Sequence, residues 1–313
     1  MRVLGIDVGG TKTVCLLAKE DGRILAEARE GGANLQGAGE LALEKVLHSV
    51  MERALAGQQV MPAAICLGIA GVDRADDQSV VRGIMDRIGY KATILIVNDA
   101  LIALQAGIGD APGIVIVSGT GSIAYGRNAR GEAARAGGWG HVLGDEGSGY
   151  WIGRLALRAV VRHADGRGHE TSLTPRLLGH FGLSGATELI HKVYHDDLAP
   201  SAIAALGHYV QQAHDDGDLV AAAILDHGAE ELVSAAAAVM KRLEMDIESF
   251  SFVLAGGMFR AVPWLCERLK VLLPTIATHT RTILLEQEPA VGAVQLALAA
   301  AHGRATTPAY RRI

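Results

Sequence analysis

The most constraining feature of this sequence is a motif that occurs twice. A short apolar strand runs into a glycine/threonine turn and returns as a second strand, at residues 5–14 and again at 115–124. Each copy leads a block of alternating strand and helix patterns, which favours two related α/β halves with a cleft between them. Because glycine accounts for 39 of the 313 residues, chance recurrence of glycine/threonine hairpins is the alternative interpretation.

Hydrophobic periodicity predicts the remaining elements. Strands are expected at residues 2–7, 13–18, 24–28, 63–71, 93–97, 113–126 (a strand, a turn and a strand), 251–257 and 282–286. Helices are expected at residues 38–56, 76–89, 146–164, 262–272 and 289–302, and mainly helical structure over 174–243. The first helix should bury one face, formed by Leu41, Val46, Leu47, Val50 and Leu55.

Composition excludes several classes of protein. The net charge of −5 gives no general attraction to nucleic acid or to an anionic membrane, and no apolar run approaches the length of a membrane span. The first residues show no signal-peptide pattern, so we expect a cytoplasmic protein. Three separated cysteines, Cys15, Cys66 and Cys266, have apolar neighbours and are expected to be buried thiols.

The first glycine turn, Asp7-Val8-Gly9-Gly10-Thr11-Lys12-Thr13, has the composition of an anion-binding loop. The sequence contains neither a P-loop nor the G-x-G-x-x-G fingerprint. Successive backbone N–H groups in a tight turn nevertheless bind anions, and lysine neutralises phosphate charge. Asp7 could hold a hydrated Mg²⁺ against a phosphate. An Asp-capped hairpin turn without a ligand is the alternative.

Two further glycine turns also follow apolar strands. Ser118-Gly119-Thr120-Gly121-Ser122 consists of small residues that offer many hydrogen-bond donors, and Gly256-Gly257 follows the strand SFVLA. Since ligands of open α/β sheets bind at the carboxyl ends of strands, the three turns could converge on one ligand.

The strings DVGGTKT, SGTGS and LAGGM, in this order, resemble the two phosphate loops and the adenosine loop of the sugar kinase/Hsp70/actin superfamily. Within it, GGWGHVLGDEGSGYWIG at 137–153 resembles the N-acetylglucosamine kinase branch of the BadF/BadG/BcrA/BcrD ATPase family. The resemblance covers roughly residues 2–302. It implies an α/β fold with two actin-like (ribonuclease H-like) lobes, each with a mixed five-stranded sheet and flanking helices, around an ATP/sugar cleft. The lobes would be residues 1–112 with 289–313, and 113–288.

The resemblance also implies the cofactors, ATP and Mg²⁺, and the residues that contact them. Nucleotide contacts are implied for Gly9, Gly10, Thr11, Lys12, Gly119, Thr120, Gly121, Gly256 and Gly257, and a water-mediated Mg²⁺ contact for Asp7.

Asp99 corresponds to the catalytic aspartate of the family, which accepts the proton of the sugar 6-hydroxyl. From the residues alone it could instead cap the helix that starts near Ala100. The resemblance implies that Asn34, Gly138, Trp139 and Asp145 contact the sugar, together with Asp99. Asp145 could also act only on the dipole of the following helix, and Trp139 could be a core residue.

The implied activity is ATP-dependent phosphorylation of the 6-hydroxyl of N-acetylglucosamine or a close amino sugar. Leu35-Gln36 and Ile123 depart from the family pattern near the sugar, so glucosamine, N-acetylmuramic acid or glucose are alternative substrates. A non-kinase ATPase that acts as an activator or sensor is another alternative, although the cysteines do not match the cluster ligands of the activators. Relatives suggest a homodimer.

Overall fold

The computed structural model describes residues 1–33, 39–57, 61–72, 75–196, 198–304 and 309–311. Within this part of the chain, every helix is too short or too polar to cross a membrane. All three cysteines are buried and unpaired, as expected from their apolar neighbours.

Strands and helices alternate along the chain. The strands are β1 (Arg2–Val8), β2 (Lys12–Lys19), β3 (Ile24–Gly31), β4 (Ala64–Ile69), β5 (Thr93–Asn98), β6 (Gly113–Ser118), β7 (Ser122–Arg127), β8 (Glu132–Gly137), β9 (Phe250–Ala255), β10 (Thr280–Leu284) and β11 (Ala309–Tyr310). The helices are α1 (Glu40–Leu55), α2 (Ala75–Ile88), α3 (Asp99–Ile108), α4 (Gly149–Ala164), α5 (Leu173–Phe181), α6 (Leu189–Tyr194), α7 (Pro200–Ala204), α8 (Gly207–Asp215), α9 (Leu219–Arg242), α10 (Met258–Ala261), α11 (Pro263–Ile276) and α12 (Ala290–Ala301), with a 3-10 turn at Ala186–Glu188.

The first sheet is mixed and has the strand order β3-β2-β1-β4-β5. Strands β1, β2 and β3 form the antiparallel meander that the apolar runs predict. Strands β4 and β5 run parallel to β1. The carboxyl ends of β1, β4 and β5 therefore lie at the same edge of the sheet, with Asp7 at the end of β1 and Asn98 at the end of β5.

The second sheet repeats the strand order of the first. Its order is β10-β9-β6-β7-β8-β11. Read in the other direction and without β11, this is β8-β7-β6-β9-β10. The five strands β6–β10 thus follow the same order, third, second, first, fourth and fifth, as β3-β2-β1-β4-β5. This shared order confirms that the glycine/threonine hairpin marks a repeated fold and not a chance recurrence. The prediction of five strands is wrong by one, because the tail adds β11 in parallel to β8.

Successive side chains of β1 point to opposite faces of the first sheet, and different helices cover the two faces. Leu4, Ile6 and Val8 belong to a core that also contains side chains of α1 and α2. Gly5 points the other way, against α12, where a Cβ would lie 2.4 Å from the backbone nitrogen of Val294. Since side chains two residues apart share a face, Asp7 lies on the α12 side as well.

Helix α1 buries most of the predicted face: Leu47 and Val50 are buried, and Val46 and Leu55 are partly buried against the core. Its buried residues are Leu43, Leu47, Val50, Met51 and Ala54, whereas Leu41 is 66% exposed. The spacing of 4, 3, 1 and 3 residues follows one stripe of the helix. Leu41 lies off that stripe, so the prediction for it is wrong.

The described chain forms two compact units. The first contains Met1–Val115, Tyr125–Ala134 and Leu285–Ile313, and the second contains Ile116–Ala124 and Arg135–Leu284. The lobe boundaries implied by the family resemblance, residues 1–112 with 289–313 and 113–288, stay a prediction.

We expect Gly292→Ala to lower the free energy of unfolding by about 1–3 kcal/mol or more, because an added methyl group must displace packed backbone. At Gly292 a Cβ would lie 2.0 Å from the carbonyl oxygen of Ile102, in α3. The control is Gly83→Ala in α2, where the Cβ would lie 3.7 Å from a flexible arginine side chain. Urea unfolding of both variants measures the difference, and equal stabilities would contradict the packing argument.

Candidate functional site

The turn between β1 and β2 is held by backbone contacts. The Gly9 N–H donates to the carbonyl oxygen of Lys12 at 2.9 Å, and the Ala33 N–H donates to that of Gly9 at 3.2 Å. A Cβ on Gly32 would lie 2.2 Å from the carbonyl oxygen of Gly10. The end of β3 therefore presses directly on the turn, and only glycine permits this approach.

Lys12 ends in a charge network that the sequence did not reveal. Its Nζ lies 2.6 Å from Oε2 of Glu288, and Arg29 Nη2 lies 3.0 Å from Oε1 of the same carboxylate. Burial alone would raise the pKa of Glu288, but the hydrogen bonds and charges of the two cations outweigh it and lower the pKa. Glu288 thus remains ionised and holds the Lys12 ammonium beside the turn.

Asp7 is a buried carboxyl group surrounded by other charges. It is 8% exposed. Burial, together with the charges of Asp99 and Glu288, raises its pKa to about 7 against the opposing charge of Lys12. Three acidic groups and one ammonium therefore act on each other at the end of β1.

Asp99 is the first residue of α3, directly after β5. The N-cap of this helix is Asn98, whose side chain accepts a hydrogen bond from the Ala100 N–H at 2.8 Å. The alternative that Asp99 itself is the N-cap is therefore wrong, although its Oδ1 also accepts from Ala100 at 2.9 Å. The Asp99 carboxylate also lies close enough to Asp7 to raise the pKa of the Asp7 carboxyl group.

The donors around Asp7 suit a divalent cation that is bound together with phosphate. Among the described residues, no group of three or more histidine, cysteine, aspartate or glutamate side chains forms a metal cage. Mg²⁺ commonly binds through only one or two carboxylates, keeps several waters and takes the rest of its ligands from substrate phosphates. The negative charge that raises the pKa of Asp7 is the charge that such a cation would neutralise.

The second turn, Ser118–Ser122, is tied to the loop that precedes α4. Ser118 Oγ donates to the carbonyl oxygen of Gly147 at 2.9 Å, and Ser122 Oγ donates to that of Glu146 at 2.7 Å. In return, the Gly149 N–H donates to the carbonyl oxygen of Gly119 at 2.8 Å. Ser148 caps α4. The turn and the start of α4 thus form one hydrogen-bonded unit, in which Thr120 is half-buried.

Asp145 is held against the backbone of this second turn. It is 7% exposed and has a positive φ of 60°. Burial raises the pKa of its carboxyl group, while backbone N–H groups of Ser122 and Gly140 donate to it and partly oppose the shift. A Cβ on Gly121 would lie 2.6 Å from Asp145 Oδ2. The carboxylate therefore orders the two loops in addition to any contact with a sugar, and α4 begins four residues later than Asp145.

Trp139 lies on the loop between β8 and α4 and is 48% exposed. This excludes the alternative of a core residue, and the Arg135 guanidinium lies 5.0 Å from the ring. Gly138 has a φ of 68°, and a Cβ there would lie 2.9 Å from Ile123 Cδ1. Ile123, the family departure in the second turn, therefore packs against the loop predicted to contact the sugar.

The third glycine turn has a packing role. Gly256 has a φ of 112°, and its Cβ would lie 2.1 Å from the carbonyl oxygen of Ser118. Only glycine lets β9 end against the second turn in this way. Gly257 is exposed and precedes α10. Its predicted contact with a nucleoside stays a prediction.

The structure brings together Asp7, Lys12 and Asp99 in the first unit, and Gly119, Thr120, Gly121, Gly138, Asp145 and Gly256 in the second. Asn34, like Leu35 and Gln36, lies outside the described residues. Sequence reasoning missed Glu288, Arg29 and Gly32. The glycine pair Gly31-Gly32 was visible, but no local pattern connects Glu288 with a lysine 276 residues away.

Comparison with known proteins decides the family. The model of the BadF/BadG/BcrA/BcrD ATPase family matches residues 4–297. The chain belongs to this family. The family resemblance predicted from the sequence is thereby confirmed, and the family is consistent with ATP as the co-substrate.

Among curated proteins, the chain is similar to an N-acetylmuramic acid/N-acetylglucosamine kinase from Clostridium acetobutylicum, with 37% identity over 94% of this chain and 97% of the relative. It is also similar to an N-acetyl-D-glucosamine kinase from Dictyostelium discoideum, with 34% identity over 94% and 97%. These likenesses are those expected of an amino-sugar kinase.

Solved structures confirm the predicted α/β fold. A protein from Chromobacterium violaceum, provisionally named an N-acetylglucosamine kinase, superposes with a TM-score of 0.78 at 28% identity, over 95% of this chain and 98% of that one. A glucokinase of the ROK family from Streptomyces griseus, in complex with glucose and AMPPNP, gives a TM-score of 0.60 at 18% identity, over 95% and 98%. The second likeness concerns the fold alone.

Gly32→Ala should displace the first turn and weaken ATP binding about tenfold or more, because the methyl group cannot share space with the Gly10 carbonyl group. Gly31→Ala is the matched control, since a Cβ at Gly31 meets no atom within 4 Å. Titration with a non-hydrolysable ATP analogue measures both affinities. Similar affinities in the two variants would show that the turn tolerates the displacement.

Asp7 should make the metal-free protein less stable as the pH rises from about 5 to 7. The native Asp7 keeps its proton up to about pH 7, whereas the unfolded residue loses it near its ordinary pKa of 3.8. Relative to Asp7→Asn, the wild type therefore loses about 1.4 kcal/mol of unfolding free energy per pH unit in this window. Urea unfolding in EDTA measures this, and a pH-independent difference between the two proteins would contradict it.

Proposed function

We propose that this protein transfers the γ-phosphoryl group of ATP to the 6-hydroxyl of N-acetylglucosamine or a close amino sugar. The observation that carries the proposal is the pair Asp7 and Asp99 at the carboxyl ends of the parallel strands β1 and β5, with Lys12 at the start of β2, in a chain of the BadF/BadG/BcrA/BcrD ATPase family. Phosphoryl transfer to an alcohol needs a base near the hydroxyl, cationic groups near the phosphates and oriented donors, and these residues are of those types.

Asp99 is the proposed general base. As the sugar oxygen attacks the γ-phosphorus, the hydroxyl proton passes to the Asp99 carboxylate, a new O–P bond forms, and the bond from phosphorus to ADP breaks. Asp99 is the first residue of α3, and its Oδ1 accepts a hydrogen bond from the Ala100 N–H at 2.9 Å, which orients the carboxylate.

Lys12 and the second turn are the proposed phosphate ligands. Glu288 positions the Lys12 ammonium, so that its charge is placed before ATP binds. Asp7 would hold Mg²⁺ through water, in keeping with the hydration that this ion retains. When bound, Mg²⁺ would neutralise part of the phosphate charge. The backbone N–H groups and hydroxyls of residues 118–122 are also proposed to bind phosphate, and Gly256 and Gly257 are proposed to contact the nucleoside.

The sugar ligands are proposed from the second unit and from Asn34. Trp139 offers an exposed indole for the apolar face of a sugar. Asp145 orders the loop on which Trp139 and Gly138 lie. We further propose a homodimer and a cytoplasmic location, as the family resemblance suggests. The activator alternative is disfavoured, because all three cysteines are buried and none can present a thiolate to a shared cluster.

Asp99→Asn should fold normally and lower kcat by about two to four orders of magnitude, because the amide cannot accept the proton. Asp86→Asn in α2 makes the same change at an exposed aspartate and should leave kcat unchanged. Single-turnover phosphorylation measures the chemical step. Near-wild-type turnover in Asp99→Asn would remove this residue as the base.

A screen of ADP release with N-acetylglucosamine, N-acetylmuramic acid, glucosamine and glucose should show the highest kcat/KM for an N-acetylated sugar. The similarity to kinases named for N-acetylglucosamine and N-acetylmuramic acid supports this order. Phosphorus-31 NMR of the product checks that the 6-hydroxyl is modified. ATP turnover that no sugar stimulates would overturn the kinase proposal and favour a non-kinase ATPase.

A further inference from the structure

The second unit contains a cleft that none of the candidate kinase residues lines. It lies between α4, the loop that follows α4, and the first half of α9, and it has a volume of about 360 Å³. This volume is within the range of pockets that hold small molecules. Its walls and floor differ strongly in chemistry, which narrows the class of ligand that would fit.

The walls of the cleft are cationic. Arg158 and Arg162 stand one turn apart on α4, and His169 and Arg167, whose guanidinium pairs with Asp165, extend from the following loop. Helix α4 contains no acidic residue. Among the described residues, Arg158 makes no ion pair, so its guanidinium is exposed and uncompensated. Arg162 uses one nitrogen, Nη2, to bind the carbonyl oxygen of Arg167 at 3.0 Å and keeps its other N–H groups.

The floor of the cleft is apolar. It consists of Leu155 and Ala159 on α4 and Val220, Ala223 and Ile224 on α9. The two alanines leave space between the helices that larger side chains would fill. Contact between water and this apolar surface is unfavourable, whereas a ring or carbon skeleton that covers the floor would remove the surface from water. The floor therefore favours an organic ligand over a bare inorganic anion.

We propose that this cleft binds a small organic phosphate, with the phosphate group on Arg158 and Arg162 and the organic part on the apolar floor. Guanidinium groups bind phosphate oxygens through paired, charge-assisted hydrogen bonds. Arginines four residues apart on a helix have Cβ atoms about 6 Å apart, so both can reach one phosphate group. A sugar phosphate and a nucleotide share this chemistry, and the experiment distinguishes them.

The test is isothermal titration calorimetry with three probes: N-acetylglucosamine 6-phosphate, ADP and inorganic phosphate. Each probe is titrated into the wild type, Arg158→Ala, Arg162→Ala and Arg154→Ala. Arg154 is the matched control, because it is an exposed arginine one turn earlier on the same helix that does not line the cleft. Arg158 is exposed and makes no ion pair among the described residues, so its variant stays informative if Arg162→Ala is destabilised.

We expect at least one organic probe to occupy a site whose affinity falls about tenfold or more in Arg158→Ala and stays unchanged in Arg154→Ala. The probe that shows this effect identifies a sugar phosphate or a nucleotide as the ligand. Identical titrations for the wild type and Arg158→Ala with all probes would overturn the proposal. If inorganic phosphate binds as tightly as both organic probes, the apolar floor contributes nothing to affinity, and the proposal of an organic ligand is overturned.

The kinase assay separates this proposal from the proposed function. Arg158→Ala, assayed without added effector, should keep the wild-type kcat, because Arg158 belongs to no part of the catalytic machinery. A loss of phosphate binding with unchanged kcat supports a separate site. A lowered kcat with unchanged probe binding would contradict it and would leave the assignment of Asp99 intact.

Discussion

The close backbone contact between α12 and β1 is the constraint on which the first unit depends. Gly5 in the strand leaves no room for even a Cβ against Val294, and Gly292 in the helix leaves none against Ile102. Since interiors are packed as densely as crystals, these glycines fix the height of the helix above the sheet. That height in turn places Glu288, just before α12, beside the turn that follows β1.

The electrostatics of the site follow from this placement. Glu288 holds Lys12 and is itself held by Arg29. The negative charge of Glu288 also raises the pKa of Asp7, which burial and Asp99 raise more strongly. An ionised carboxylate at the buried Asp7 position is costly in the absence of a ligand. A cation bound together with phosphate would offset this cost, which is the role proposed for Mg²⁺ at Asp7.

Much of the fold could be read from local patterns. The meander β1–β3 and the hairpin β6–β7 follow from apolar runs separated by glycine turns, which are short-range signals. The buried face of α1 could not be predicted residue by residue, because several stripes of the helix fit the same sequence. Tertiary packing buries Leu43 and leaves Leu41 exposed. The tail strand β11 was missed, since two residues carry no periodicity and pair only because β8 offers an open edge.

By itself, the sequence determined the repeated α/β pattern, the two glycine turns that follow β1 and β6, and the positions of Asp7 and Asp99 at the ends of strands, because strand alternation and glycine turns are local properties. Only the tertiary structure decided that Asn98 caps α3, that Asp145 braces the second turn and that Glu288 pairs with Lys12. These interactions join segments up to 276 residues apart. They arise from helix height and close backbone packing, which no local pattern records.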